Sequence, residues 1–516
     1  MASTSSSTAP KGARPLVQNF NLRLLYSCSL VAISQINFGL DQGVFSNTQA
    51  MTAFTHKFGE YKASTGKYAL EATYLSLLNG LPYVGFAFGL ASGNYISRRF
   101  GRRICIFTMC MWALIAAIIL VTSNTKAQLL VGRVIAYIYI GMSLAVVPVL
   151  QSELVPAPVR GLVVGTYQSG LLVGTLIAAV VCRRTSTLQT ESSFRIPLGL
   201  MFIVPAILSV GIWYMPESPR WLLLKNRPDE ALASLRLLRQ GRFSDEEIKE
   251  ELNQSLYTIE GTSEKGSFKE LAQGSNLKRT FIVIGVNIFL QITGSTFVSL
   301  YGTIFIKSLN TINAFTMTSI NSAISICTTI LAQFLTDVTG RVPLMFAGAT
   351  IQTCGLFTMG ALGTVSNPSM AVKEGITAMV TVFAVGFQLG WAPLSHVVAA
   401  EIPTTRLRDS TYAIGAIFNI TIQCAVAFAT PYLLNAPYAD LGSKVGFIYG
   451  SFAFLAMIFT YFCIPECKGK TLEEIDALFL DGVPIRQFRE TRPRLTTGDL
   501  TKLESARGSQ VEVGKM

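Results

Sequence analysis

Charge is scarce in this chain: Asp, Glu, Lys and Arg together make up 14% of its 516 residues, where soluble domains carry roughly a quarter. That excludes a soluble enzyme of this length. Histidine is scarcer, with only His56 and His396, and two isolated imidazoles cannot build a metal site. Nine cysteines fall mostly within apolar stretches, where they read as small buried hydrophobes, so neither a disulfide framework nor a thiol site is supported. No nucleophile, base and orienting group converge anywhere, which argues against an enzyme, and no cofactor is implied. Gly469-Lys470-Thr471 fails as a phosphate loop because position 464, where the upstream glycine belongs, is Ile464. A basic stripe interleaved with aromatics is also missing, so the formal net charge of +12 points to an anionic membrane surface and not to nucleic acid.

What the chain has instead is apolar length. Half of its residues are hydrophobic and its mean hydropathy is +0.45. About twelve stretches are long enough to cross a bilayer as helices of ~20 residues: 22–46, 70–97, 103–122, 127–153, 161–182 and 197–215, then 280–306, 312–336, 343–364, 372–400, 409–434 and 443–465. The expected fold is an all-α membrane protein of two pseudo-symmetric six-helix domains. The domains run 22–215 and 280–465, joined by a charged linker with short helices at 216–279 and flanked by cytoplasmic segments at 1–21 and 466–516. Residues 1–19 and those beyond about 484 read as disordered. The first apolar stretch is too long for a signal peptide and is taken as a retained helix. Turns rich in arginine (Arg98, Arg99, Arg102, Arg103, Arg160, Arg341, Arg406, Arg408) follow even-numbered helices, which places both termini in the cytoplasm.

The halves repeat one another. Gly101-Arg102-Arg103 returns as Gly340-Arg341, Glu153 with Arg160 as Glu401 with Arg408, and Pro216-Glu217 as Pro465-Glu466. Such a duplication at the ends of apolar segments relates two halves of a carrier. These charges are expected to hold the halves together on the inner side by charge-assisted hydrogen bonds that break as the carrier opens inward. Gly85, Gly89 and Gly93 form small-xxx-small spacings that mean close helix packing. Asp41 stands out because a carboxylate inside a span costs at least ~2.5–3.5 kcal/mol on insertion scales. Counting from the outer helix ends puts Asp41 and Arg133 at the same depth, so they are able to pair: either as a fixed neutralising pair or as a carboxylate that gains and loses a proton while the arginine approaches and withdraws. Gln168, Gln291, Thr296, Ser325, Gln388 and Gln423 lie midway through spans, either as glue between helices or as partners for a neutral, hydroxyl-rich solute.

With these motifs in hand, the chain resembles the sugar porter family of the major facilitator superfamily, its fungal branch in particular, over about residues 22–482. The resemblance rests on Phe38-Gly39-Leu40-Asp41-Gln42-Gly43-Val44, Phe100-Gly101-Arg102-Arg103, Gly132-Arg133, Glu153 to Arg160-Gly161, Pro216-Glu217-Ser218-Pro219-Arg220-Trp221-Leu222, Asp337 to Arg341, Gly390-Trp391-Ala392-Pro393 and Pro465-Glu466. It implies a sugar site between the two domains, alternating access by rocking, coupling of a proton to sugar through Asp41 and Arg133, and sugar contacts from Gln168, Gln291, Thr296, Ser325, Gln388 and Gln423. The inner gate would comprise Arg102, Arg103, Glu153, Arg160, Glu217, Arg220, Arg341, Glu401 and Arg408.

Against the family pattern, Leu290 replaces a second glutamine, Thr296 an asparagine, Leu300 a tyrosine, and His396 and Ile420 stand where tryptophans stack on the sugar ring. Arg98 replaces an acid, Tyr137 and Tyr139 replace glycines, and Cys467 interrupts Pro-Glu-Thr. The expectation is a proton-coupled symporter for a hexose, pentose or disaccharide, monomeric in the plasma membrane, with solute and proton as partners. The alternatives are the same carrier moving a polyol, a quinate-like acid or a secondary metabolite, and a non-transporting sugar sensor, which the short segment after Pro465 disfavours.

Overall fold

The computed structural model describes residues 20–62, 66–156, 160–261, 268–404, 406–470 and 472–491. Among them eleven helical stretches are long and apolar enough to cross a membrane: Ala72–Phe100, Arg102–Val121, Lys126–Leu154, Thr166–Thr185, Ser192–Tyr214, Gly274–Leu309, Ala314–Thr336, Arg341–Leu362, Met370–Glu401, Arg408–Leu434 and Gly442–Cys463. A twelfth, Leu22–Thr48, has the length at 27 residues and comes first in the chain. It misses on hydropathy because it buries Ser34, Gln35, Asn37, Asp41 and Asn47. We number these spans one to twelve in chain order.

Helix pairing repeats every six spans. The first packs on the fifth as the seventh does on the eleventh, the third on the fourth as the ninth on the tenth, and the third on the sixth as the ninth on the twelfth. Between the halves the fifth span meets the eighth and the second meets the eleventh. The glycine spacing does what its pattern predicts: a Cβ added at Gly85 or Gly89 would lie 2.1 Å from the carbonyl oxygen of Val134 or Ile138 on the fourth span. Only glycine allows the second and fourth spans that approach.

Three features depart from the sequence expectation. The segment after 484, expected to be disordered, is packed through residue 491: Phe488 is fully buried, with its ring 4.9 Å from that of Phe479. Polar composition hid a single aromatic anchor. The helix Leu472–Leu480 is fastened there by a buried ion pair between Asp476 and Arg279, at the start of the seventh span, and the Arg279 guanidinium also stacks on Phe479 and reaches the Ile402 carbonyl. The seventh and tenth spans are not continuous α-helices; π turns interrupt them at Phe297–Tyr301 and Phe387–Trp391. The stretch after the first span holds a short helix, Thr52–Phe58, and a hairpin pairing Glu60–Lys62 with Lys67–Ala69.

The central segment forms helices Pro219–Leu224, Pro228–Arg239 and Asp245–Gly261 around buried Trp221, Leu235 and Ile248. They attach to the first half: Arg239 binds Glu251 and the Leu154 carbonyl, and Asn21 donates to the Leu237 and Gln240 carbonyls. Both Gly-Arg turns, these helices and the terminal helix share one end of the bundle, called here the motif end.

Candidate functional site

A cavity of about 280 Å³ lies between the halves, near the lower edge of the ~300–1,000 Å³ usual for small-molecule sites. Gln168, Gln291, Ser325, Gln388 and Gln423 all line it. Thr296 does not: it is buried behind the wall, 3.3 Å from Gln291 Oε1, because the turn at Gly294 (φ +103°) and the π turn after it rotate the helix. Its contact orients Gln291, whose Nε2 donates to Asn419 Oδ1 at 3.1 Å. Gln388 is held by Thr329 at 3.0 Å. Gln42, Gln168, Gln423 and Ser325 line the cavity and make no side-chain hydrogen bond to a described residue. Sequence reasoning missed Gln42, Asn321 and Ser322 in the lining. The last two lie one helical turn before Ser325, on the same face, and that spacing was the available signal.

Beside the cavity, Asp41 and Arg133 are both fully buried and pair at 2.5 Å between Oδ1 and Nη1. Tyr139 donates from 3.2 Å to the other carboxylate oxygen, a partner the sequence flagged only as an oddity. The guanidinium carbon lies 3.7 Å from the Phe45 ring centre and 4.9 Å from that of Tyr137. Aromatic faces thus replace water on a desolvated cation. Arg133 Nε and Nη2 have no hydrogen-bond partner among the described residues, so the pair is incompletely satisfied there, the condition in which a buried ion pair adds least to stability. Gln42 and Gly43, directly after Asp41, line the cavity.

At the motif end the two halves build the same device. Arg102 binds Glu153 through Nε at 3.0 Å and Nη2 at 2.8 Å, and the Glu217 carboxylate accepts the backbone N–H groups of Arg102 and Arg103 at 3.0 and 3.2 Å. In the second copy Arg341 binds Glu401 at 2.8 and 3.3 Å, and Glu466 accepts from Arg341 and Val342 at 3.1 and 2.9 Å. Gly101 and Gly340 have φ of 106° and 102°, a conformation other residues rarely adopt, and a Cβ there would meet the glutamate. Burial pushes the Glu217 carboxyl up, against the N–H donors of Ser218, Arg103 and Arg102. Arg103 binds the Trp213 carbonyl and Arg220 is exposed. The Arg160 side chain lies outside the described residues, and Arg408 Nε and Nη2 are buried without a partner among those described.

In this structure each pair closes within one half, and no hydrogen bond or ion pair among the described residues crosses between the halves at the motif end. The crossing contacts lie at the opposite end. Thr303 bonds Asn47 at 3.2 Å, Ser46 the Leu300 carbonyl at 3.2 Å, Lys307 the Ala50 carbonyl at 2.6 Å and Ser76 the Phe428 carbonyl at 2.9 Å. The polar contacts between the halves thus gather at the end of the bundle away from the Gly-Arg turns.

The sequence profile described as "Sugar (and other) transporter" matches residues 27–479. The chain belongs to the sugar transporter family. It is not an enzyme family, and its architecture is the major facilitator fold. Similar proteins include the high glucose sensor RGT2 of Saccharomyces cerevisiae, 29% identical over 90% of this chain and 62% of the sensor, so the chain spans under two thirds of that relative. Another is the major facilitator-type transporter ecdD of Aspergillus rugulosus, 30% identical over 90% of this chain and 88% of the relative. Among solved structures, the inward-open xylose transporter XylE from E. coli superposes with a TM-score of 0.72, covering 88% of this chain and 99% of that chain at 22% identity, a likeness of fold.

Proposed function

We propose that this sugar transporter is a proton-coupled symporter working by alternating access, with Asp41 as the proton site and Arg133 as its partner. The observation that carries the reading is the buried Asp41–Arg133 pair one residue from the cavity-lining Gln42. When the arginine withdraws, the carboxylate loses its counter-charge in a low-dielectric site and takes a proton, so proton binding and helix position are linked. Gln168, Gln291, Ser325, Gln388 and Gln423 bind the solute's hydroxyls, with Thr296 orienting Gln291.

Because the polar contacts between the halves gather at the far end, the structure reads as the inward-facing state, with the motif end and both termini cytoplasmic and the chain a monomer in the plasma membrane. The domain limits read from the sequence, 22–215 and 280–465, give the two rocking bodies. In the opposite state the motif end closes, and Arg408 and Arg160 with Glu153 and Glu401 are the charges placed to meet across the halves. Membrane potential then drives inward flux by ~2.3 kcal/mol per elementary charge per 100 mV.

Uptake of labelled sugars with and without an uncoupler tests the coupling, and sugar accumulation that survives the uncoupler overturns it. A chain at the cell surface that binds sugar without moving it supports the sensor reading instead.

A further inference from the structure

His396 lines the cavity from the tenth span, exposed within it. No Asp, Glu, Lys or Arg lines the cavity, so His396 is the one lining side chain able to carry charge near neutral pH. Its imidazole makes no hydrogen bond to a described residue. Of the titratable groups on the helices packed against this segment, Arg341 and Glu401 bind each other and Arg279 binds Asp476, while Arg408, Asp409 and Tyr412 lie outside the lining.

The π turn Phe387–Trp391 places the histidine. It takes up one residue, so the eight positions from Gln388 to His396 turn the helix as seven would, close to two full turns. Both side chains therefore face the cavity, about 12 Å apart along the axis at ~1.5 Å per residue. The cavity has a pole of amides and hydroxyls deep between the halves and a pole with a lone imidazole toward the motif end.

We infer that the solute is a polyhydroxylated carboxylate, a sugar acid, whose carboxylate is met by His396 at the motif-end pole. This rests on the carrier reading above and narrows its substrate class. A desolvated carboxylate needs a counter-charge, and an imidazole that takes up a proton together with the arriving carboxylate supplies one in an acid medium and withdraws it at neutral pH. Facing an acid exterior, His396 takes a proton and pairs with the carboxylate. Facing a neutral cytoplasm, it returns the proton there and the carboxylate leaves. One negative charge and one proton cross together, so this step moves no net charge.

The test uses D-galactose and D-galacturonate, which differ only in a hydroxymethyl against a carboxylate, and likewise D-glucose and D-glucuronate. Uptake is measured in cells without hexose carriers expressing the full chain, with cells lacking it subtracted and surface amount measured by a fluorescent tag. At an outer pH of about 5.5 the acid should enter at least ~10-fold faster than its parent hexose, and the advantage should fall about tenfold by pH 7.5. His396→Gln should cut the acid-to-hexose ratio about tenfold, and His396→Lys should keep acid competition while flattening its pH dependence. Hexose uptake that Asp41→Asn abolishes, with no entry of either acid, overturns this inference and leaves the carrier reading standing. An acid-to-hexose ratio unchanged in His396→Gln also overturns it. Entry of none of the four probes, with the protein at the surface, overturns both readings.

Discussion

The two halves share helix pairing and the motif-end device, yet they differ in what they place near mid-membrane. The first half buries a charged pair, Asp41 with Arg133, in helices that run as α through that depth. The second half puts most of the uncharged polar lining, Gln291, Asn321, Ser325 and Gln388, on spans of which two are interrupted by π turns. The two halves thus present one scaffold twice, and the proposed function divides the tasks unequally between them: the proton falls to the first half and most of the solute contacts to the second. A charged pair needs fixed geometry to be sealed, whereas a solute site gains from a helix whose turns place side chains out of regular register.

The sharpest break of that comparison is Asp41→Asn. Steady-state accumulation of labelled solute should fall from tenfold or more to about the outside concentration, while exchange of solute across the membrane persists. Loss of exchange as well would mean that Asp41 is needed to hold the solute and not only the proton. Next in size, Gln291→Ala should raise the KM for uptake about tenfold, the worth of one or two hydrogen bonds of ~1 kcal/mol, with accumulation at saturating solute retained. If accumulation fails instead, the division between halves is wrong.

Smaller is the contrast between the two motif-end glutamates. Arg102 and Glu153 are 8% and 6% exposed, against 16% and 21% for Arg341 and Glu401. Glu153→Gln should therefore lower thermal stability in detergent more than Glu401→Gln, each within the ~1–3 kcal/mol of an unsatisfied buried group. The reverse order would show that the second copy carries more of the strain. The smallest effect concerns Cys467, beside Glu466, whose thiol burial pushes up to about 12. It should resist alkylation at pH 7.5 in the folded protein and react once the protein is unfolded, by mass spectrometry.

The architecture was legible because hydrocarbon imposes a length and a polarity on every span, and the limits read from Ala72–Phe100 or Met370–Glu401 differ by only a few residues from the structure. The proximity of Asp41 and Arg133 was legible too, since depth along two helices is simple counting. Thr296 was not, because the turn at Gly294 and the π turn change the register by less than any apolar pattern reports. Phe488 escaped because one aromatic in a polar stretch carries no periodicity. The closing of the motif-end pairs within each half was hidden for another reason: repeated motifs give which residues meet but not which state of the carrier is closed.

Arg279 also sets an order of assembly. The guanidinium at the start of the seventh span finds its carboxylate, Asp476, 197 residues later in the chain, on a helix synthesised after every span. Until then a cation destined for burial stands without its anion, and leaving one partner of such a pair unmatched costs ~3–5 kcal/mol. The second half thus reaches its final packing only when synthesis is nearly done, and a chain cut before Asp476 would retain all twelve spans yet present quality control with an unfinished one.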